Sequence, residues 1–212
     1  MLKQDQIAAN YARWLKRLEK YNCYSEKLIE DLGEKICNAT WAMNADSGAA
    51  YQGALLDVVM NHLCDIAYSF NEVALTRLID NTLTNVRPYI KVNTNMLIRV
   101  LLLQHISKAE IFTPTTESWK VKKGTLYEYN KDIETTLKVG ERSLFLCQKY
   151  GIQLTEDEFD AMRIIDKMEE QSIATYTTPL ALMVKTANQF ACLEIRRQWD
   201  YLYKQKQQTL EK

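Results

Sequence analysis

MLIRVLLLQHIS, residues 96–107, is the most apolar stretch of the chain. Its apolar positions Leu97, Val100 and Leu101 recur at steps of three and four residues. That is the period of a helix face; a half-buried strand would alternate every second residue. Leu103 extends the apolar face, and Arg99 is the one charged residue in the stretch. A helix here sets the fold class, because the segments on either side carry the same period.

Upstream, Ile7, Tyr11, Trp14, Leu15 and Leu18 share one helical face. Ser25 is a good N-cap for a second helix built on Leu28, Ile29, Leu32 and Ile36. Residues 45–50, with Asp46, Ser47 and Gly48, read as a loop. A third helix is expected from about Tyr51 to Asn85, burying Leu55, Val59, His62, Leu63, Ile66 and Phe70, with Pro88 as punctuation.

Downstream the pattern changes. Residues 117–121 and 125–129 are rich in aromatic and β-branched side chains and flank Lys122, Lys123 and Gly124, which predicts a β-hairpin. Helices resume near Val139. Gly151 stands where a C′ residue would end one helix. Thr155 with Glu158 forms a capping box for the next, and Thr178 followed by Pro179 opens a long last helix through Phe190, Ile195, Trp199 and Leu202. The expected fold is therefore mostly α, a single helical bundle with one β-hairpin: N-terminal helices over residues 1–45, a core over 51–203 and a polar tail over 204–212.

Composition narrows the function classes. The 212 residues are 47% hydrophobic and 25% charged, an ordinary globular balance. Lys+Arg and Asp+Glu both number 27, so no net field draws the chain to nucleic acid or anionic lipid. No apolar run approaches the roughly 20 residues of a membrane span, and Met1 to Asn10 lacks the apolar core of a secretory leader. Five dispersed cysteines without a CxxC pair suit reduced thiols in the cytoplasm.

Chemistry-bearing motifs are sparse. Only His62 and His105 supply imidazoles, and no HExxH, GxSxG or Gly-rich phosphate loop occurs. The acids Glu156, Asp157, Glu158 and Asp160 crowd a first helical turn, where they complement the helix dipole. Glu169 and Glu170 read as a solvated face. The Lys120, Lys122 and Lys123 cluster, with Trp119, Tyr127 and Tyr129 beside it, is the one stretch suited to stacking on bases or to an interface.

Four segments in order carry a family resemblance: YQGALLDVV (51–59), LLLQHISKAE (101–110), VGERSL (139–144) and PLALMVKTANQFA (179–191). Together they resemble the HD-domain metal-dependent phosphohydrolases, especially the small phage and bacterial forms, over roughly residues 51–195. The resemblance implies a helical metal-binding pocket. It also implies that the ligands are changed here. The first His of the family falls on Val58, the His-Asp pair on Gln104 and His105, and the late Asp on Asn188. The His before Glu141-Arg142-Ser143 is replaced by Lys138-Val139-Gly140, and the stretch after the Leu-Thr helix reads Arg163 to Asp166. Valine offers no donor and Gln and Asn only neutral carbonyls, a poor set for a divalent cation.

The sequence therefore predicts no cofactor and no enzyme, but an HD-like domain kept as a structural or interaction module. Trp119, Lys122, Lys123, Tyr127 and Tyr129 are its candidate interface. The expected partner is a protein or a second copy, and phage structural proteins are the setting the resemblance suggests; a membrane and bulk nucleic acid are not expected. The alternative is a pseudoenzyme that holds a nucleotide or phosphate through His62, Lys108 and Arg142. A relocated metal site between His62 and His105 is the third reading.

Overall fold

A computed structural model describes residues 2–74, 92–133, 136–165 and 178–210, with backbone only for Ala74 and residues 203–210. The expected helix end near Asn85, Pro88, Asp166, Glu169, Glu170 and the lysine side chains of the tail lie outside the described residues. What is described is mostly helical with one two-stranded antiparallel hairpin.

α1 (Gln4–Lys20) buries Ile7, Trp14 and Leu18 on the face its spacing sets. The Trp14 indole donates to the Leu102 carbonyl at 3.2 Å, tying α1 to the middle of the apolar stretch. α2 (Glu26–Asn38) starts at Ser25, whose hydroxyl accepts from the Leu28 N–H and donates to the Tyr150 carbonyl at 2.9 Å. One N-cap side chain thus closes a helix and joins it to a distant loop.

The third helical run begins at α3 (Ala54–Val58), three residues later than Tyr51. It widens into a π-helical stretch (Val59–Leu63), narrows to α4 (Cys64–Tyr68) and widens again (Ser69–Ala74). Each π turn takes up one residue more than an α turn, so the buried face slips. Leu55, Val59 and Leu63 are buried as expected. Beyond the first π turn the inward positions are Cys64, Ala67 and Asn71, while Ile66 and Phe70 stand half out. Buried Asn71 donates to the Val92 carbonyl at 3.1 Å and accepts from the Val92 N–H at 3.2 Å, so one polar side chain pairs both backbone groups of Val92.

α5 (Thr94–Leu103) is the apolar stretch, buried on Leu97, Ile98, Val100, Leu101, Leu102 and Leu103. A tight turn leads to α6 (Lys108–Ile111) and β1 (Phe112–Pro114). The hairpin is not the one the sequence predicts. Residues 118–122 form a helical turn, α7 (Ser118–Lys122), and β2 (Tyr127–Tyr129) pairs with β1, Phe112 opposite Tyr129 and Pro114 opposite Tyr127. Local ionic contacts explain the correction. Lys120 reaches Glu117 at 2.7 Å and Glu128 at 2.6 Å, and the Trp119 indole donates to Glu117 at 2.7 Å. The Glu117 contacts close over one helical turn, which an extended strand would open, and the Glu128 contact ties that turn to β2.

α8 (Val139–Lys149) ends ahead of Gly151, whose φ of +71° is the left-handed conformation foreseen for it. α9 (Glu156–Ile164) carries the Thr155–Glu158 capping box. α10 (Pro179–Leu210) opens on Thr178, whose hydroxyl accepts from the Ala181 N–H at 3.2 Å. It packs against α9, α4 and α5. Among the described residues no helix is long and apolar enough to cross a membrane.

All five cysteines are free thiols. Burial pushes the Cys23 and Cys147 thiols up to about 12 and Cys64 up to about 11. Only Cys192 is exposed. Native protein treated with an aromatic disulfide reagent should therefore react first at Cys192, more slowly at half-buried Cys37, and at the buried three only on unfolding. Fast release of three or more would contradict this burial.

Candidate functional site

The turn between α5 and α6 gathers the polar residues that the resemblance singles out. Gln104 caps α5 in helical conformation, and the Lys108 N–H donates to the His105 carbonyl at 3.0 Å, which closes the turn. Asn188 approaches from α10. Its amide nitrogen donates to the Val184 carbonyl one turn back at 2.8 Å and to Gln104 Oε1 at 3.0 Å. Its oxygen lies 2.9 Å from His105 Nε2.

These contacts set the protonation state. The Val184 carbonyl can only accept, so it fixes which end of the Asn188 amide is nitrogen. Asn188 Oδ1 can then only accept, so His105 Nε2 carries the proton and Nδ1 is bare. His105 Nδ1 and Gln104 Nε2 are left as a buried acceptor and a buried donor without a hydrogen-bond partner. Burial, and next the nearby Lys108 charge, hold the His105 pKa well below its usual value; the Asn188 bond opposes them.

The Trp41 ring meets His105 edge-on at 4.4 Å between centroids. Lys108 is buried, its ammonium 3.5 Å from the Trp41 ring centroid and 2.8 Å from the Trp41 carbonyl. Trp41 carried no signal in the sequence because it precedes the loop and belongs to no periodic face. Val58 is buried in the apolar core. The arrangement therefore joins Gln104, His105 and Asn188 in one neutral hydrogen-bonded chain, with Lys108 folded over Trp41 beside it.

His62 is not part of this chain. Its Nδ1 lies 2.8 Å from Glu194 Oε2 of α10, on the half-exposed side of the π turn. Arg142 is held by Glu110, both Nε and one terminal nitrogen meeting Glu110 Oε2 at 3.0 and 2.7 Å. The Ser143 hydroxyl donates to the Ser107 hydroxyl at 2.9 Å, which in turn donates to the Val139 carbonyl at 2.8 Å. His62, Lys108 and Arg142 thus sit in three separate environments rather than around one ligand.

The donor set does not suit the divalent ion that the resemblance implies. Two neutral amides and one imidazole whose near nitrogen is protonated replace the anionic ligands such an ion needs. Among the described residues no three His, Cys, Asp or Glu side chains gather as a metal cluster.

The candidate interface divides in two. Trp119 (56% exposed) and Tyr129 (61%) face outward, the Lys123 ammonium 5.2 Å from the Trp119 ring centroid. Tyr127 is half-buried, and burial raises its phenol pKa. Lys122 and Lys123 close α7, where their charge complements the helix C-terminus.

No family model matches the chain, and no curated protein or solved structure matches it either.

Proposed function

We propose that the chain is a catalytically inactive HD-like helical domain that works as an interaction module. The observation that carries this reading is the hydrogen-bonded chain of Gln104, Asn188 and His105. At the positions where the resemblance puts metal ligands, the side chains bond to one another and to a helix carbonyl. Such a chain makes a specific core contact between α5 and α10, and it keeps no anionic group for Lewis-acid chemistry.

The pseudoenzyme alternative is weakened by Arg142. A guanidinium that grips phosphate needs its fork open, and here Glu110 occupies it. The interaction reading draws on the outward pair Trp119 and Tyr129 with Lys122 and Lys123. Aromatic anchors of this kind bury large area at low entropy cost. A protein partner or a second copy is the proposed occupant. A phage-encoded assembly is the setting, carried by the resemblance alone.

Two measurements test the proposal together. Elemental analysis of purified protein should find no stoichiometric iron, manganese or zinc, and nucleotides incubated with it should release no phosphate. Light scattering and affinity capture should reveal a complex that weakens about thirtyfold in Trp119→Ala with Tyr129→Ala, the cost of a central aromatic anchor. One metal ion per chain with EDTA-sensitive turnover would overturn the inactive reading. A monomer that captures nothing would overturn the interaction reading.

A further inference from the structure

A groove of about 420 Å³ runs between α4 with its two π turns and α10. Its apolar lining is Ile66, Phe70 and Phe190; its polar lining includes the carboxylates Asp65 and Glu194. Leu193, three residues past Phe190, and Tyr68 are also more than half exposed. The groove is independent of the Trp119 surface and stands whether or not that surface is an interface.

Three observations say what fits it. The first is shape: π-helical stretches at Val59–Leu63 and Ser69–Ala74 lie on either side of α4. They turn Ile66 and Phe70 half out of the core, where the α-helical spacing would have buried them. The second is charge. Among the described residues the lining holds two carboxylates and no lysine or arginine. Two cations of α1 stand nearby: Arg13 donates to the Asn61 amide oxygen at 2.7 Å, and Arg17 stands at the long distance of 3.9 Å from Asp65, whose side chain stays 64% exposed and open to a second cation. The third is anchoring. His62 holds Glu194 at 2.8 Å, which fixes that carboxylate at the rim.

We propose that this groove docks an amphipathic helix of a partner, its apolar side on Ile66, Phe70 and Phe190 and its lysines or arginines against Asp65 and Glu194. This is the helix-in-groove mode, in which apolar anchors set affinity and rim charges set selectivity.

The probe is a short fluorescein-labelled peptide of leucine and lysine only, patterned as an amphipathic helix; its control replaces every lysine with glutamate. Fluorescence anisotropy with the full chain should show saturable binding of the lysine peptide alone, weakening as salt rises. Phe190→Asp should reduce affinity about tenfold or more. Phe190 is half exposed, so this variant should keep its far-UV circular dichroism. Glu194→Lys tests the charge arm without touching the apolar lining, and should also weaken binding. Trp119→Ala should leave it unchanged. Equal binding of both peptides, unchanged affinity in Phe190→Asp and Glu194→Lys, or a loss confined to Trp119→Ala would each overturn the proposal.

Discussion

Arg99→Met should destabilise the protein by about 3–5 kcal/mol, the usual cost of removing one partner from a buried ion pair. Arg99 is the only charge in the apolar stretch of α5, and four of its five guanidinium N–H groups have partners. Nε meets Glu158 Oε1 at 2.6 Å; the terminal nitrogens donate to the carbonyls of Tyr21 at 2.8 Å, Asn22 at 2.6 Å and Gln153 at 2.6 Å. Glu158 is almost wholly buried, and its other oxygen accepts from the Thr155 N–H at 2.9 Å to cap α9. Methionine fills the volume of the Arg99 stem but strands the carboxylate and three carbonyls. The midpoint of thermal unfolding should fall by roughly 10 °C for a chain of this size. Urea unfolding of Arg99→Met, Glu158→Gln and the double variant provides the check. The double variant should lose less than the two singles combined, because neither charge is then left alone. A loss below about 1 kcal/mol in Arg99→Met would show that the pair behaves as an exposed one.

Acidification should weaken the fold through His105. In the unfolded chain its imidazole titrates near ~6.5. In the folded chain burial and the Lys108 charge hold its pKa well below that. Below about pH 6.5 the unfolded chain therefore takes up a proton that the folded chain refuses. The stability that His105 contributes is complete above about 6.5 and falls by about 1.4 kcal/mol per pH unit beneath it, until the folded pKa is reached. The comparison is with His105→Gln, in urea unfolding at pH 7.5, 6.5 and 5.5. The difference between the two proteins should change by about 1 kcal/mol over the lower step and by about a third of that over the upper. Parallel pH profiles would mean that the imidazole reaches solvent in the folded protein.

Much of the helical frame is legible in the sequence because its signals are local. Ser25, Thr155 with Glu158, Thr178 with Pro179, and Gly151 act within a turn of themselves, and each stands where its residue type requires. The hairpin was misplaced because β-propensity at residues 117–121 lost to contacts of similar range. The structure pairs one lysine with both Glu117 and Glu128, and the second of these contacts depends on where the return strand runs.

The candidate site divides the same way. Gln104, His105 and Asn188 do come together, although 84 positions separate Gln104 from Asn188 in the chain. Trp41 over Lys108, Glu110 on Arg142 and Glu194 on His62 were not legible, since nothing local links the partners. Glu158 was half legible. Its duty as a capping residue shows three positions from Thr155, while its bond to Arg99 depends on how α5 and α9 meet.

The π turn after Val58 has a consequence for comparison with other helices. A π turn takes up one residue more than an α turn, so every residue after Leu63 stands one position out of step with a regular helix. A homologue lacking it would match this chain residue for residue up to Val58. From Cys64 onward it would match only after a one-position gap placed inside an unbroken helix. An alignment that forbids gaps in helices would set Ile66 opposite a core residue, and would miss the homologue on the strength of one miscounted turn.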